Sequence, residues 1–426
     1  MNLMNSTARR VTLAALVTVA LGTATACGGK GFSASPSDSG AVAASGGSVS
    51  AAPAALTVLI ASSGDAETNA VKTAATAWAT SSGNTVTVTP AQDIKQQLGQ
   101  GFAAGSPPDV FYVDAAAFAD YASIGALEPY GESFAGKDDF YPSLRQAFTY
   151  QNKLYCIPKD FSTLALEINS AAWAKAGLTT ADVPTTWDQL SAVAKKLTVG
   201  TQVGLAIGDT RDRIGAFMVE AGGWVVNKDS TAATADSPEN LAALKYVQSL
   251  LADGSAKFPK QLDSGWAGEA FGKQKAAMTI EGNWIRGAMK NDYPTVKYLV
   301  VPMPKGPKAA GTLTFTQCWG IAAKSTHKAQ AIALVTALTT KAAQLGFAQA
   351  FGVMPSRQSA QADYVAAFPD DKAFVDGAAY AQGPVNAPKM NQVLGDFDTA
   401  LQGLPKSDPA AILKRLQANT AAVVGK

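Results

Sequence analysis

The stretch 56–127, LTVLIASSGDAETNAVKTAATAWATSSGNTVTVTPAQDIKQQLGQGFAAGSPPDVFYVDAAAFADYASIGAL, decides the fold. LTVLIA (56–61) is a short apolar run of the kind that forms a buried strand, and GDAETNAVKTAATAWAT (64–80) reads as a loop entering a helix. TVTVTP (85–90) is a second strand and AQDIKQQLGQGFAAG (91–105) a second helix. PPDVFYVD (107–114) is a third strand, running into the helical AAAFADYASIGAL (115–127). Strands alternating with helices at this spacing predict an α/β protein with a parallel, doubly wound sheet. Ligands of such sheets sit beyond the carboxyl ends of the strands. That rule nominates Ser63, Gly64 and Asp65 after the first strand and Asp114 after the third.

Outward from this unit the pattern repeats. LYCIPKDFSTLALEIN (154–169) holds two extended segments separated by Pro158, Lys159 and Asp160. PTTWDQLSAVAKKL (184–197) is a helix that Thr186 and Gln189 start in capping-box spacing. VGLAIG (203–208) is a strand, SPENLAALKYVQSLLADG (237–254) an amphipathic helix, and KYLVVPMP (297–304) a further strand. GEAFGKQKAAMTIEGNWIRGAM (268–289) passes from helix to strand to loop to helix. A second α/β unit therefore occupies 164–314, and helices dominate after Lys324, with the turn FGVMPSRQ (351–358) between two of them. No internal repeat is present.

Composition excludes several functions. A chain of 426 residues is long enough for two or more domains with their own cores. Its single histidine, His327, leaves no basis for a His-built metal site or for a Ser-His-Asp triad centred elsewhere. The first 26 residues carry Arg9 and Arg10, the apolar run Val11–Leu21 and small residues before Cys27, the pattern of a secretory signal. Losing them takes the 35 Lys and Arg down to 33, against 33 acids. A balanced chain offers no basic field for nucleic acid and no polybasic membrane patch. Ala24-Thr25-Ala26-Cys27 resembles the bacterial lipobox, although Ala24 stands where Leu is commonest. The resemblance implies an acylated Cys27 and anchoring to the outer face of the cytoplasmic membrane; the alternative is ordinary cleavage after Ala26 and a free thiol. Residues 28–54 are rich in Gly, Ser, Ala and Pro and cannot bury a core. As a flexible tether they would reach about 30 Å. After the signal no segment reads as a membrane span.

Four stretches in this order resemble the extracellular solute-binding proteins of bacterial ABC importers, in particular the maltose-binding-like cluster that takes up sugars. They are PDVFYVDAAAFADYASIGALEPY (108–130), LYCIPKDFSTLALEIN (154–169), GKQKAAMTIEGNW (272–284) and CWGIAAKSTHKAQAIALVTALTT (318–340). The chain departs from the common pattern at Ile168, where most relatives have Tyr, and at Cys156 and Cys318, where many have glycine. The resemblance implies a two-lobed periplasmic-binding-protein fold of the type II-like class, each lobe a doubly wound sheet flanked by helices, joined by a hinge. Its lobes would be 55–160 with 319–360, and 161–318 with 361–426. It also implies that Cys156 and Cys318 lie side by side on the hinge, where an oxidising compartment favours a disulfide over two buried thiols.

A pyranose presents a face of C–H groups that packs on an aromatic ring and an edge of hydroxyls suited to carboxylates and amides. Trp284, in the loop after a buried strand and at the family's usual aromatic position, is the leading stacking candidate. Trp224 follows two glycines that let a backbone approach either a ligand or a helix; Trp319 lies beside Cys318 and either meets the ligand or packs the hinge. Asp65 and Asp114 are ligand contacts or helix caps. Asp160 faces the cleft on the family pattern, and Asn283 is the likelier contact of the pair Glu281 and Asn283. Trp266 is a weaker candidate, while Trp78, Trp173 and Trp187 occupy apolar helix positions and His327 the surface. No nucleophile, phosphate-loop or metalloprotease motif stands in a fitting context, so no enzyme, cofactor or metal is expected. The expected partners are a carbohydrate and the transmembrane subunits of a permease, the protein itself being a monomer. A polyol phosphate, polyamine or peptide ligand, or a sensing role without transport, stays open at this stage.

Overall fold

The computed structural model describes residues 52–424. The signal, Cys27 and nearly all of the linker lie outside the described residues. β1 (Ala55–Ile60), β2 (Thr85–Pro90) and β3 (Val110–Asp114) form a parallel set in the order β2-β1-β3. Each strand feeds a helix: α1 (Asp65–Ser82), α2 (Ile94–Ala104) and α3 (Ala115–Ser123). Short acids start two of them, Asp93 accepting from the Gln96 amide and Asp114 from the Ala116 amide. α2 stops at Gly105, whose positive φ of 72° returns its amide to the carbonyls of Gly101 and Phe102. In the second unit, Thr186 accepts from Gln189 as the capping box requires, while the Gln189 side chain accepts instead from the Thr185 amide.

Two long strands carry the chain between the sheets. The first crossing strand, Ile157–Asn169, has 13 residues and spans about 43 Å. Its first half runs antiparallel to the second crossing strand, Thr312–Ile321, which in turn pairs with β3. Its second half pairs with Ala276–Gly282 and Tyr298–Val301. Val203–Ala206 lies parallel to Ala276–Gly282 and completes the second sheet with the short strand Ala256–Lys257. The hydrogen-bonded path is thus continuous, but only because these two strands are shared. Each sheet keeps its own parallel centre and its own core.

One core gathers Ile60, Val110, Phe111, Phe118, Leu334 and Trp319; the other gathers Leu166, Leu205, Phe217, Met278, Leu394 and Leu413. A smaller cluster, with Phe161, Ala165, Tyr364 and Phe374, packs on the first crossing strand between them. Cys156 and Cys318 are bonded, with Cα atoms 5.7 Å apart, inside the first core. Among the described residues no single helix is long and apolar enough to cross a membrane.

The register of the crossing strands breaks once. Asp160 pairs with Gln317 and Pro158 with Cys318, so Lys159 is the extra residue of a β-bulge. Bulges re-aim side chains, and this one has a consequence for the site.

Candidate functional site: a charged floor and an aromatic wall

The turn after β1 and the bulge on the first crossing strand build the floor. Glu67, in the first turn of α1, is only 4% exposed. It accepts hydrogen bonds from the Ser63 amide and hydroxyl (2.8 Å each), from the Tyr112 hydroxyl (3.0 Å) and from Lys159 Nζ (3.1 Å). Lys159 also pairs with Asp160, and its ammonium lies 4.5 Å from the centre of the Tyr112 ring and 5.5 Å from that of Phe351. Adjacent residues of a regular strand point to opposite faces; the bulge is what lets Lys159 and Asp160 meet. Burial alone would push the Glu67 carboxyl up, but Lys159 and the Ser63 hydrogen bonds outweigh it and hold the pKa below the usual range. Burial would likewise lower the Lys159 pKa, and the two acids reverse that. Asp160 is pushed up by burial, with Lys159 opposing and Glu67 adding to the rise.

The wall comes from the second sheet. Helix Arg211–Ala221 starts at the carboxyl end of Val203–Ala206, which brings Arg213 to Glu281 at the end of Ala276–Gly282. Glu281 is 1% exposed and also accepts from Trp284 Nε1 at 3.0 Å. The Arg213 guanidinium stands 5.0 Å from the Trp284 ring centre and 5.8 Å from that of Phe315. Trp284 and Phe315 meet edge to face at 5.2 Å. Gly282 is required here, because a Cβ on it would fall 2.2 Å from the Trp284 ring. Behind the wall the Glu281 amide donates to Glu167, a fully buried acid whose pKa burial and Glu281 push up.

Floor and wall meet along the crossing strands. Phe315 faces Ser162 in register, and Asp160 lies two residues, about 7 Å, further along the same strand. The carboxyl ends of the two sheets also face each other. The Asp114 carboxyl is raised by desolvation, with Lys95 and Arg211 opposing and Asp212 adding to the rise; Arg211 and Asp212 open the helix of the other sheet. Arg211 is held in turn by Asp398. Hydrogen-bonding groups of the first sheet and a partly exposed indole of the second thus flank the same pair of crossing strands. Among the described residues no group of three or more metal-ligating side chains is present.

Of the residues nominated from sequence, Ser63 and Asp160 are in the floor and Trp284 in the wall, while Asp114 caps α3 and Gly64 and Asp65 lie exposed at the start of α1. Three are placed differently. Asn283 is fully buried, and its amide is committed to Ser162, to the Gly352 carbonyl and to the Tyr364 hydroxyl, so it bolts the loop before Trp284 to the hinge. Trp319 is 1% exposed, packed edge to face on Tyr112 in the first core, and its carbonyl accepts from Tyr130; no face is left for a ligand. Trp224 follows the far end of helix Arg211–Ala221, about 16 Å along it from Arg211. It lines a separate cavity of about 1340 Å³ with Tyr150 and Asn386. Two residues after Trp284, Arg286 is half-buried against Asp371 and the Phe368 ring.

Glu67, Tyr112, Lys159, Arg213 and Phe315 were not nominated. The sequence reading set Pro158, Lys159 and Asp160 between two extended segments, whereas the structure runs one strand through them, and no local signal announces the bulge.

The geometry agrees with what the chain is similar to. Residues 73–376 match the family model described as bacterial extracellular solute-binding protein. A Brucella abortus (strain 2308) chain, named without further assignment as a binding protein, is 26% identical over 357 residues, 80% of this chain and 85% of that one. The diacetylchitobiose binding protein DasA of Streptomyces coelicolor is 24% identical over 292 residues, 63% of this chain and 65% of its own. Among solved structures, the GacH receptor of Streptomyces glaucescens GLA.O, studied unliganded and with acarbose, superposes with a TM-score of 0.77 at 20% identity, over 88% of this chain and 99% of its own. The Thermus thermophilus maltotriose binding protein gives 0.73 at 25% identity, over 86% and 99%. With its two sheets, shared crossing strands and facing carboxyl ends, the chain belongs to the bacterial extracellular solute-binding proteins, which bind their solutes and do not transform them.

Proposed function

We propose that this protein is the receptor of an ABC importer, anchored through an acylated Cys27, that captures a carbohydrate between its lobes by hinge closure and hands it to the permease. The lobes in this reading are 55–160 with 319–360 and 161–318 with 361–426, and the receptor acts as a monomer. The observation that carries the ligand class is the pairing of floor and wall. Trp284 offers an indole partly open to solvent, held by Glu281 and Arg213. Asp160 offers a carboxylate two residues along the crossing strand from the position facing Phe315, on which Trp284 packs. An apolar sugar face and a hydroxyl edge need those two groups together. The relatives named for diacetylchitobiose, acarbose and maltotriose support the same class.

The test is a thermal-shift and Trp-fluorescence panel of maltotriose, acarbose, diacetylchitobiose and monosaccharides, beside a polyamine, a peptide and a polyol phosphate. A sugar at 100 times its dissociation constant stabilises by about 2.7 kcal/mol. For a chain of this size that is about 3 °C in Tm. A panel in which no sugar moves Tm while another solute does rejects the carbohydrate reading.

A further inference from the structure

The first crossing strand carries a charged trio that is more elaborate than a single acceptor needs. Lys159, Glu67 and Asp160 have side chains 7%, 5% and 13% exposed, so Asp160 is the member that reaches solvent. Its Oδ2 takes the Lys159 ammonium, and its Oδ1 has no hydrogen-bond partner among the described residues. Glu67 is fixed from three further sides by the Ser63 amide and hydroxyl and by Tyr112. The Lys159 ammonium lies over the Tyr112 and Phe351 rings, and the Lys159 carbonyl accepts from Gln344 Nε2 at 3.2 Å, so both ends of the residue are held.

We propose that Lys159 is the positioning residue of the cleft, presenting the free oxygen of the Asp160 carboxylate to a ligand hydroxyl while Glu67 anchors it from behind. This rests on the carbohydrate reading above. The chemistry explains the parts. A lone carboxylate at that depth would protonate or rotate; an ammonium on one oxygen keeps the group ionised and fixes which oxygen faces the cleft. One lysine against one acid would be neutral, and the second acid restores a net negative charge on the floor, suited to a neutral donor such as a hydroxyl. The bulge at Lys159 is the backbone device that makes the arrangement possible.

The titratable groups gathered here are Glu67 from α1, Tyr112 from β3, and Lys159 and Asp160 themselves; burial pushes the Tyr112 hydroxyl far up, so it stays neutral in the acid range. Phe351 and Gln344, on the helix Lys341–Phe351 packed against them, do not titrate. Burial raises the Asp160 pKa against the pull of Lys159, so removing the lysine raises it further and carries the loss of binding toward neutral pH.

The test uses Lys159→Met, which keeps an unbranched chain of similar length and deletes the charge, with Asp160→Asn and the double variant. Maltotriose binding is followed by calorimetry from pH 5 to 8. Lys159→Met should weaken binding at pH 7 by about 10- to 100-fold, the worth of one charge-assisted hydrogen bond. It should also move the acid limb of the profile upward, and add nothing in the Asp160→Asn background. An additive loss in the double variant, or a lower Tm with an unchanged pH profile, overturns the proposal. If wild type binds no sugar, the carbohydrate reading falls, and carbon NMR titration of Asp160 in the ligand-free protein decides alone. A raised Asp160 pKa in Lys159→Met sustains the positioning role, and an unchanged one refutes it.

Discussion

Replacing Cys156 and Cys318 together by alanine opens a covalent loop of 162 residues. In the chain-entropy account, closing a loop of that length stabilises by about 5 kcal/mol, nearly all of it by restricting the unfolded ensemble. The native state should change little. The Cα atoms sit 5.7 Å apart on strands that are hydrogen-bonded to each other, so alanines leave the pairing of the second crossing strand with the first and with β3 intact. Both sulfurs lie in the first core, at 1% and 0% exposure, so the lost packing only adds to the loss. For a chain of this size 5 kcal/mol corresponds to about 6 °C in Tm. Scanning calorimetry of the parent and the double variant, each with and without a phosphine reductant, measures it. The reductant should lower the parent most of the way to the variant's Tm, short of it by the packing the two thiols retain, and leave the variant unmoved. A variant melting within a degree of the parent, or falling equally with reductant, refutes the reasoning.

Three further outcomes follow from the side-chain environments. Glu220 is fully buried with Trp187 Nε1 donating to it, and burial pushes its pKa far up. The native state then keeps a proton that the unfolded chain loses above about pH 4.5, so stability declines as pH rises, by at most about 1.4 kcal/mol per unit. Glu220→Gln should flatten that decline, and urea melts at pH 5 and 8 that stay parallel to wild type contradict it. Asn283→Ala strips the partners from Ser162 and the Gly352 carbonyl and should cost about 2–3 kcal/mol, read as a lower urea midpoint. Trp284→Leu should weaken sugar binding at least tenfold with a smaller loss of Tm than Trp319→Leu, which removes a core ring; calorimetry and melting curves showing the reverse order would exchange their roles.

The parallel centre of the first sheet was legible because its strands are short runs bounded by turn residues, and two of its three helices announce themselves by a cap, Asp93 and Asp114. The carboxyl-end rule then reached Ser63 and Asp114 without any view of the second sheet. The rule fails for tryptophans. An indole beside glycines reads alike whether it stays partly exposed, as Trp284 does, packs a core, as Trp319 does, or borders another cavity, as Trp224 does. Asn283 illustrates the same limit for polar groups, since only the arrival of Ser162, Gly352 and Tyr364 from distant segments spends its hydrogen-bonding capacity.

By itself, then, the amino-acid order determined the α/β class, because strand and helix periods and turn residues are local properties, whereas the two crossings and the adjacency of Cys156 and Cys318 came from the family resemblance and the bond itself from the tertiary structure. Only the tertiary structure decided which acids are tied and which stay free. Lys159 and Asp160 share one side of a strand because of a single register slip against Gln317 and Cys318, and Arg213 reaches Glu281 across 68 positions. Such meetings depend on how separate segments are brought together in space, and a burial or a salt bridge between them leaves no mark in either segment alone.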